Sequence, residues 1–338
     1  MSFDIVASQS LIWERLSKIS TANQLGNAYL ISGPRGCGKE GLAIRFSQLL
    51  NCEISSVNPC DSCPSCQRFH QLQHEKLNLI FPLPTVKKTT SDNSDDISTV
   101  GNSDMELVTS AIAKKSKDHF YKIQIPKANR ILIQSVRGLR KSLYLKSDPS
   151  GRKIVLILDA HLLSAGQGEA ANALLKILEE PPKNTTLVLV TDHVELLLPT
   201  ILSRCQRLSV PRLNDETIMK WLQMKMVKES EIPFLAGLSL GNIHQARFLT
   251  SQPIGDLMKL ISGLIKTITG NEPDSWRKFI QTYSRLASQD PATFSFHFMM
   301  IKIWFRSANR LQKDVDDILH ETSFKLGMKR ILDLHPTA

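Results

Sequence analysis

Short apolar runs alternate with stretches of helical periodicity through the first two thirds of the chain. Ile154 to Leu158 is continuously apolar, rich in β-branched residues, and ends on Asp159. Leu187 to Val190 is a second such run, closed by Thr191, and Ala28 to Ile31, Leu77 to Phe81 and Arg207 to Val210 read as further strands. Runs of this kind predict strands buried on both faces of a parallel sheet. The segments between them are helical. Ala170, Leu174 and Leu178 recur at four-residue spacing, with Ala173 and Ile177 beside them, until Pro181 and Pro182 stop the helix. Leu11, Leu16 and Ile19 predict a helix within residues 9–22, and Ile131 to Leu145 predicts another that carries Arg137, Arg140 and Lys141. Strands separated by helices with right-handed crossovers make an α/β fold. The expected sheet has five parallel strands, with Ala28–Ile31 between the strands ending at Thr191 and Val210.

After Pro211 the pattern turns helical. Asn214 or Asp215 can cap a helix running to about Met226, Pro233 opens another segment, and Gly241 breaks the chain before Ile243 to Leu249. From about Gly255 onward only amphipathic helices are predicted, with Trp276, Phe279, Phe298, Trp304 and Phe305 expected in their core. Residues of about 84–118 form a polar insertion with mixed charge, and a short helix is expected at Met105 to Lys117. No internal repeat is visible.

Composition changes this picture little. The 338 residues are 42% hydrophobic, enough for a sizeable core, and no apolar stretch approaches the ~20 residues of a membrane span. The opening MSFDIVASQS lacks a signal pattern, so no membrane partner and a cytoplasmic address are expected. A net charge of +10 fits either a solvated basic surface or contact with phosphate backbones. Six cysteines in a cytosolic chain argue for metal or free thiols rather than disulfides.

Candidate chemistry sits in three places. The strand Ala28–Ile31 runs into Gly33-Pro34-Arg35-Gly36-Cys37-Gly38-Lys39-Glu40, and a helix follows. This is G-x-x-x-x-G-K in its proper context. Gly33, Gly36 and Gly38 let backbone N–H groups face a phosphate, and Lys39 is placed to reach the β/γ-phosphates. The next position calls for a Ser or Thr hydroxyl on Mg²⁺, and Glu40 stands there instead, which impairs the metal chemistry. Weak or moderate ATP or ADP binding is therefore expected, with negligible hydrolysis. Cys52, Cys60, Cys63 and Cys66 lie within 15 residues. Four thiolates suit a tetrahedral structural Zn²⁺, with no position left open for water. Cys37 and Cys205 read as small apolar residues. The third place is Ser203-Arg204-Cys205, just before the last strand.

Taken together, GPRGCGK, the four-cysteine module after its helix, EAANALLKILEEPP and LSRC resemble the AAA+ clamp-loader subunits of bacterial DNA polymerase III. The resemblance covers most of residues 1–250. It implies an ATPase-like base over 1–211 with its zinc module near 50–70, a helical lid over 212–252, and a helical collar over 253–338 through which subunits assemble. Within that family the gamma/tau motor hydrolyses ATP and the delta-prime subunit carries worn motifs. Relative to the motor pattern, Glu40 replaces the metal ligand. Ala160 and His161 follow Asp159 where the motor has Asp-Glu, and His244 stands where a lid arginine senses the γ-phosphate. Each change removes a different part of phosphoryl transfer. The resemblance thus implies a delta-prime role, with Asp159 and Thr191 as further nucleotide-site positions and Arg204 as an arginine finger acting in trans. The implied partners are gamma/tau and delta subunits, the sliding clamp and primer-template DNA. The alternative is an active gamma/tau-type ATPase; a tau form would be expected to carry a long extension beyond the collar, and this sequence ends at Ala338.

Overall fold

The computed structural model describes residues 3–21, 25–84, 102–144, 151–251, 253–270 and 272–312. Residues 85–101 of the polar insertion, most of the turn at 147–151 and everything beyond 312 lie outside the described residues. The chain divides into two compact units, Ser2–Arg212 and Leu213–Ala338.

In the first unit the elements are α1 (Ile5–Ser8), α2 (Ser10–Thr21), β1 (Ala28–Ser32), α3 (Lys39–Leu49), α4 (Pro64–His70), β2 (Leu77–Ile80), α5 (Asn102–Lys117), α6 (Ile133–Tyr144), β3 (Lys153–Ile157), α7 (Glu169–Glu179), β4 (Thr185–Thr191), α8 (Pro199–Leu202) and β5 (Gln206–Ser209). The strands form one five-stranded sheet in the order β2-β3-β4-β1-β5, all pairs parallel. As expected, β1 lies between β4 and β5, with Ile31 opposite both Val190 and Leu208. Every residue of β4 is buried, which is why its sequence shows no polar alternation. One sheet face, carrying Leu30, Val155, Ile157, Leu187 and Leu189, shares a core with Val136 and Leu139 of α6 and Leu174 and Ile177 of α7. On α3, Phe46 meets Tyr29 of β1 edge to face, with ring centroids 5.5 Å apart.

The second unit contains α9 (Asp215–Met224), α10 (Ile232–Ser239), α11 (Ile243–Thr250), α12 (Ile254–Thr269), α13 (Pro273–Gln289) and α14 (Pro291–Gln312). Asn214 caps α9 by accepting from the Thr217 N–H at 2.9 Å. Leu240 and Gly241 both take positive φ and end α10. One sequence expectation needs correction here. Trp304 is buried, but Trp276 is 37% and Phe298 42% exposed. The reason is one-sided packing, since α13 has no buried residue. Its aromatic residues instead stack on one another, with Phe279 and Tyr283 centroids 4.4 Å apart and Tyr283 5.8 Å from Phe298. Among the described residues no helix is long and apolar enough to cross a membrane.

The burial pattern makes a simple expectation. Leu174, fully buried in the α7 face of the core, should cost about 2–5 kcal/mol when cut to Ala, the usual penalty for an unfilled methyl-lined hole. Leu11, 76% exposed on α2, should cost within about 0.5 kcal/mol. Urea titrations of the two variants, followed by hydrogen exchange of the sheet amides, compare them directly.

Candidate nucleotide-type site and cysteine centre

The loop between β1 and α3 has the backbone of a phosphate cradle. Gly36 and Gly38 take φ of 69° and 89°, a region open to glycine and strained for other residues. The polar groups that should face a nucleotide are engaged within the protein. Lys39, almost wholly buried, forms an ion pair with Asp192 and donates to the Pro34 carbonyl at 2.9 Å. Glu40 accepts from Lys115 at 2.5 Å and from Lys122 at 2.6 Å. Lys122 also donates to Asp159 at 2.6 Å. Three formal ammoniums and three formal carboxylates thus meet at the C-terminal end of the sheet. Burial alone would raise the Glu40 carboxyl, but Lys115 and Lys122 hold it well below the usual carboxylate range. Burial likewise opposes charge on Lys122, and Glu40 and Asp159 override it, holding the ammonium above its ordinary value. Asp192, also buried, is kept below its ordinary value by Lys122 and Lys39.

Asp159, two residues past the end of β3, takes a left-handed conformation, φ 51°, which turns the chain into a short 3-10 turn at Ala160–Leu163. His161 in that turn faces Thr191 at the end of β4, its Nδ1 3.0 Å from Oγ1. The same Oγ1 accepts from the His193 N–H at 3.0 Å. Burial lowers the His161 pKa, so the ring favours its neutral form. Neither a carboxylate nor a free threonine hydroxyl is offered at this position to polarise a water.

The four cysteines converge. Sγ atoms of Cys52, Cys60, Cys63 and Cys66 all lie within 4.8 Å of one another, and Cys60 and Cys66 are 3.8 Å apart. Zn–S bonds of about 2.3 Å in a tetrahedron place sulfurs about 3.8 Å apart. Backbone N–H groups of Ser55, Cys63 and Cys66 donate to the sulfurs of Cys52, Cys60 and Cys63 at 3.3–3.4 Å. At Cys60, the Ser62 hydroxyl and the Cys63 N–H lower the thiol to about 6. Cys63 caps α4, adding the positive end of a helix dipole. The donor set and its surroundings therefore fit tetrahedral zinc. The module is anchored to α3: Gln48 donates to Asp61 at 2.8 Å and to the Cys66 carbonyl at 3.0 Å, and Arg45 pairs with Asp61. Cys37 and Cys205 are buried, and burial raises both thiols.

Arg204 follows α8 at the sheet rim. One of its terminal nitrogens donates to the Thr200 carbonyl at 3.0 Å and the other to Glu179 at 2.8 Å, at the C-terminal end of α7. Its side chain remains 35% exposed. His244 lies in the first turn of α11, in the second unit, where Asn242 caps the helix by accepting from its N–H at 3.0 Å.

A family profile described as "DNA polymerase III, delta subunit" matches residues 8–214, well over half of the chain. The chain belongs to the DNA polymerase III clamp-loader family. It is an AAA+ subunit of the delta'/gamma/tau type. Among its relatives, subunit tau of Bacillus subtilis is 27% identical over 78% of this chain and 40% of the relative. Subunit delta' of Bacillus subtilis is 28% identical over 64% of this chain and 50% of the relative. Subunit delta' of Pseudomonas aeruginosa is 27% identical over 74% and 63%. The chain thus spans about half the length of these relatives. Identity to tau and to delta' is nearly equal, so it does not separate the two types.

In this clamp-loader subunit the structure brings Gly36, Gly38, Lys39, Glu40, Asp159 and Thr191 to one end of the sheet. Sequence reasoning missed Lys115, Lys122 and Asp192. Asp192 directly follows Thr191 and could have been suspected from that. Lys115 and Lys122 come from the end of the insertion, where no periodicity or motif marks them.

Replacing Glu40 with Gln leaves Lys115 buried against a neutral group, and a broken buried pair of this kind costs about 3–5 kcal/mol. A carboxyl whose folded pKa lies below its unfolded value of about 4.3 contributes stability above that value and loses it as pH falls through the folded value. The difference between wild type and Glu40→Gln should therefore be full at pH 7 and shrink progressively below about pH 4. Urea midpoints at pH 7, 5 and 3.5 measure it.

Proposed function

We propose that this chain acts as a delta-prime-type clamp-loader subunit. In this reading it assembles with gamma/tau and delta partners and helps place a sliding clamp on primer-template DNA without hydrolysing ATP itself. The observation that carries the reading is the double loss at the P-loop. The metal-ligand position is a glutamate bound to two lysines, and the position directly after Asp159, where the motor carries its water-polarising glutamate, is Ala160. Either loss removes a part that phosphoryl transfer needs. The gamma/tau reading requires phosphate release by the purified chain, abolished in Lys39→Ala; that result would replace the present one.

Arg204 gives the subunit a role in a neighbour's chemistry. A guanidinium stays charged and forks onto phosphate oxygens. At the rim, held by Glu179 and the Thr200 carbonyl, it is preoriented yet accessible. Arg204→Ala should leave the folded chain unchanged and lower the DNA-dependent ATP turnover of the reconstituted loader by about tenfold or more. That is less than the ~10³–10⁵ of a lone trans arginine in GTPases, since other cations share such a site. Wild-type turnover and clamp loading in that complex would exclude the finger role.

The cysteine centre is proposed to hold one structural zinc through Cys52, Cys60, Cys63 and Cys66. Elemental analysis should give about one zinc per chain. Cys63→Ser should lower both the zinc content and the melting temperature. A chain purified without chelator that carries well under one zinc rejects the assignment.

A further inference from the structure

Magnesium does not fit this P-loop, because a side chain already fills the place between its ligands. In the AAA+ arrangement implied by the motifs, the residue after the P-loop lysine and the aspartate ending the central strand share one magnesium ion. Here those positions are Glu40 and Asp159. Lys122 Nζ lies 2.6 Å from Glu40 Oε1 and 2.6 Å from Asp159 Oδ1. The two carboxylates that could share a divalent ion share an ammonium. We infer that Lys122 is a built-in substitute for the metal ion, so that the loop keeps its folded form with neither magnesium nor nucleotide. This inference deepens the non-hydrolysing reading above and rests on it.

Three independent features support it. First, the charges balance internally. Lys122 and Lys115 answer Glu40 and Asp159, while Lys39 answers Asp192, with Arg35 3.8 Å from the same carboxylate. An incoming Mg²⁺ would have to expel Lys122 and leave its ammonium without partners in a setting where its side chain is 16% exposed. Mg²⁺ also sheds its own water reluctantly. Second, the lysine that would meet the β/γ-phosphates is tied to Asp192, so a triphosphate would have to break that pair as well. Third, a segment covers the loop. Lys115 is fully buried and donates to the carbonyls of His119 and Tyr121, both at 2.7 Å. This fixes the turn that carries Phe120 and Lys122. Phe120 and Ile5 pack directly against Gly38, and His119 against Gly41. The cradle is thus closed by apolar side chains as well as by charge.

The substitution has a positive test. Lys122→Ala frees one oxygen each of Glu40 and Asp159 and leaves the cluster one positive charge short, which is the composition of a weak hard-cation site. Wild-type protein titrated with Mn²⁺ and followed by electron paramagnetic resonance should bind none at this loop up to 1 mM added metal, about the upper end of weak oxygen-ligand sites. Its melting temperature should not move with MgADP. Lys122→Ala should bind one Mn²⁺ per chain and lose it again in Lys122→Ala combined with Asp159→Asn. If folded Lys122→Ala gains no Mn²⁺, the substitution is wrong. Should that variant fail to fold, the wild type alone decides. A rise in its melting temperature with MgADP that ADP without magnesium does not give overturns the inference, and that outcome without hydrolysis leaves the delta-prime reading standing. ATP turnover by the wild-type chain at motor rates overturns both.

Discussion

The ion pairs around Glu40 are the constraint on which the first unit depends. A carboxylate buried at the start of a helix is tolerable only if it is matched on all sides, because the low-dielectric interior penalises an unpaired charge by several kcal/mol. Two lysines from α5 and the segment after it do the matching, and Asp159 and Asp192 from the ends of β3 and β4 complete the balance. Four segments distant in sequence must therefore arrive together. The tips of the central strands, the N-terminus of α3 and the end of the insertion have one shared geometry or none.

Function in this family is a matter of which end of which element carries which charge. The parallel sheet places the C-terminal ends of its strands side by side, where open α/β folds hold their ligands. In this chain that end carries a self-satisfied cluster, while Arg204, just before the start of β5, stands at the opposite end of the sheet beside the C-terminus of α7. The arginine has two partners that a competing anion could replace: an exposed carboxylate and a backbone carbonyl. Exposed pairs are weak, so Arg204 can change partner at small cost, whereas Lys39 and Lys122 cannot. The exchangeable guanidinium thus lies at the end of the sheet away from the loop.

Much of this was legible in the sequence, for identifiable reasons. The five parallel strands and the place of β1 between β4 and β5 were read from the series of apolar runs separated by helical segments, since strands buried on both faces show as continuous runs. β4 and β3 were found for that reason, and only their ends were misjudged by a residue or two. The glycine spacing and the cysteine spacing are local, so their residues were named without a fold. Lys115 and Lys122 were not legible. Their role depends on a contact across 75 and 82 residues of sequence, and a lysine near an insertion has the same local signature whether it is solvated or buried. The misplaced aromatics on α13 and α14 fail for a related reason. An amphipathic stripe says that a face is apolar, not that something covers it, and Trp276 and Phe298 remain exposed.

The helix that follows the P-loop is fixed at both of its ends. At its start Glu40 is gripped by two lysines; near its other end Arg45 and Gln48 hold Asp61, and Gln48 also holds the carbonyl of Cys66. A helix anchored at one end alone can swing when its anchor changes, and so behaves as a lever. Clamped at both, α3 has no pivot about which to move. Any load placed on the loop side passes along its axis into the cysteine module.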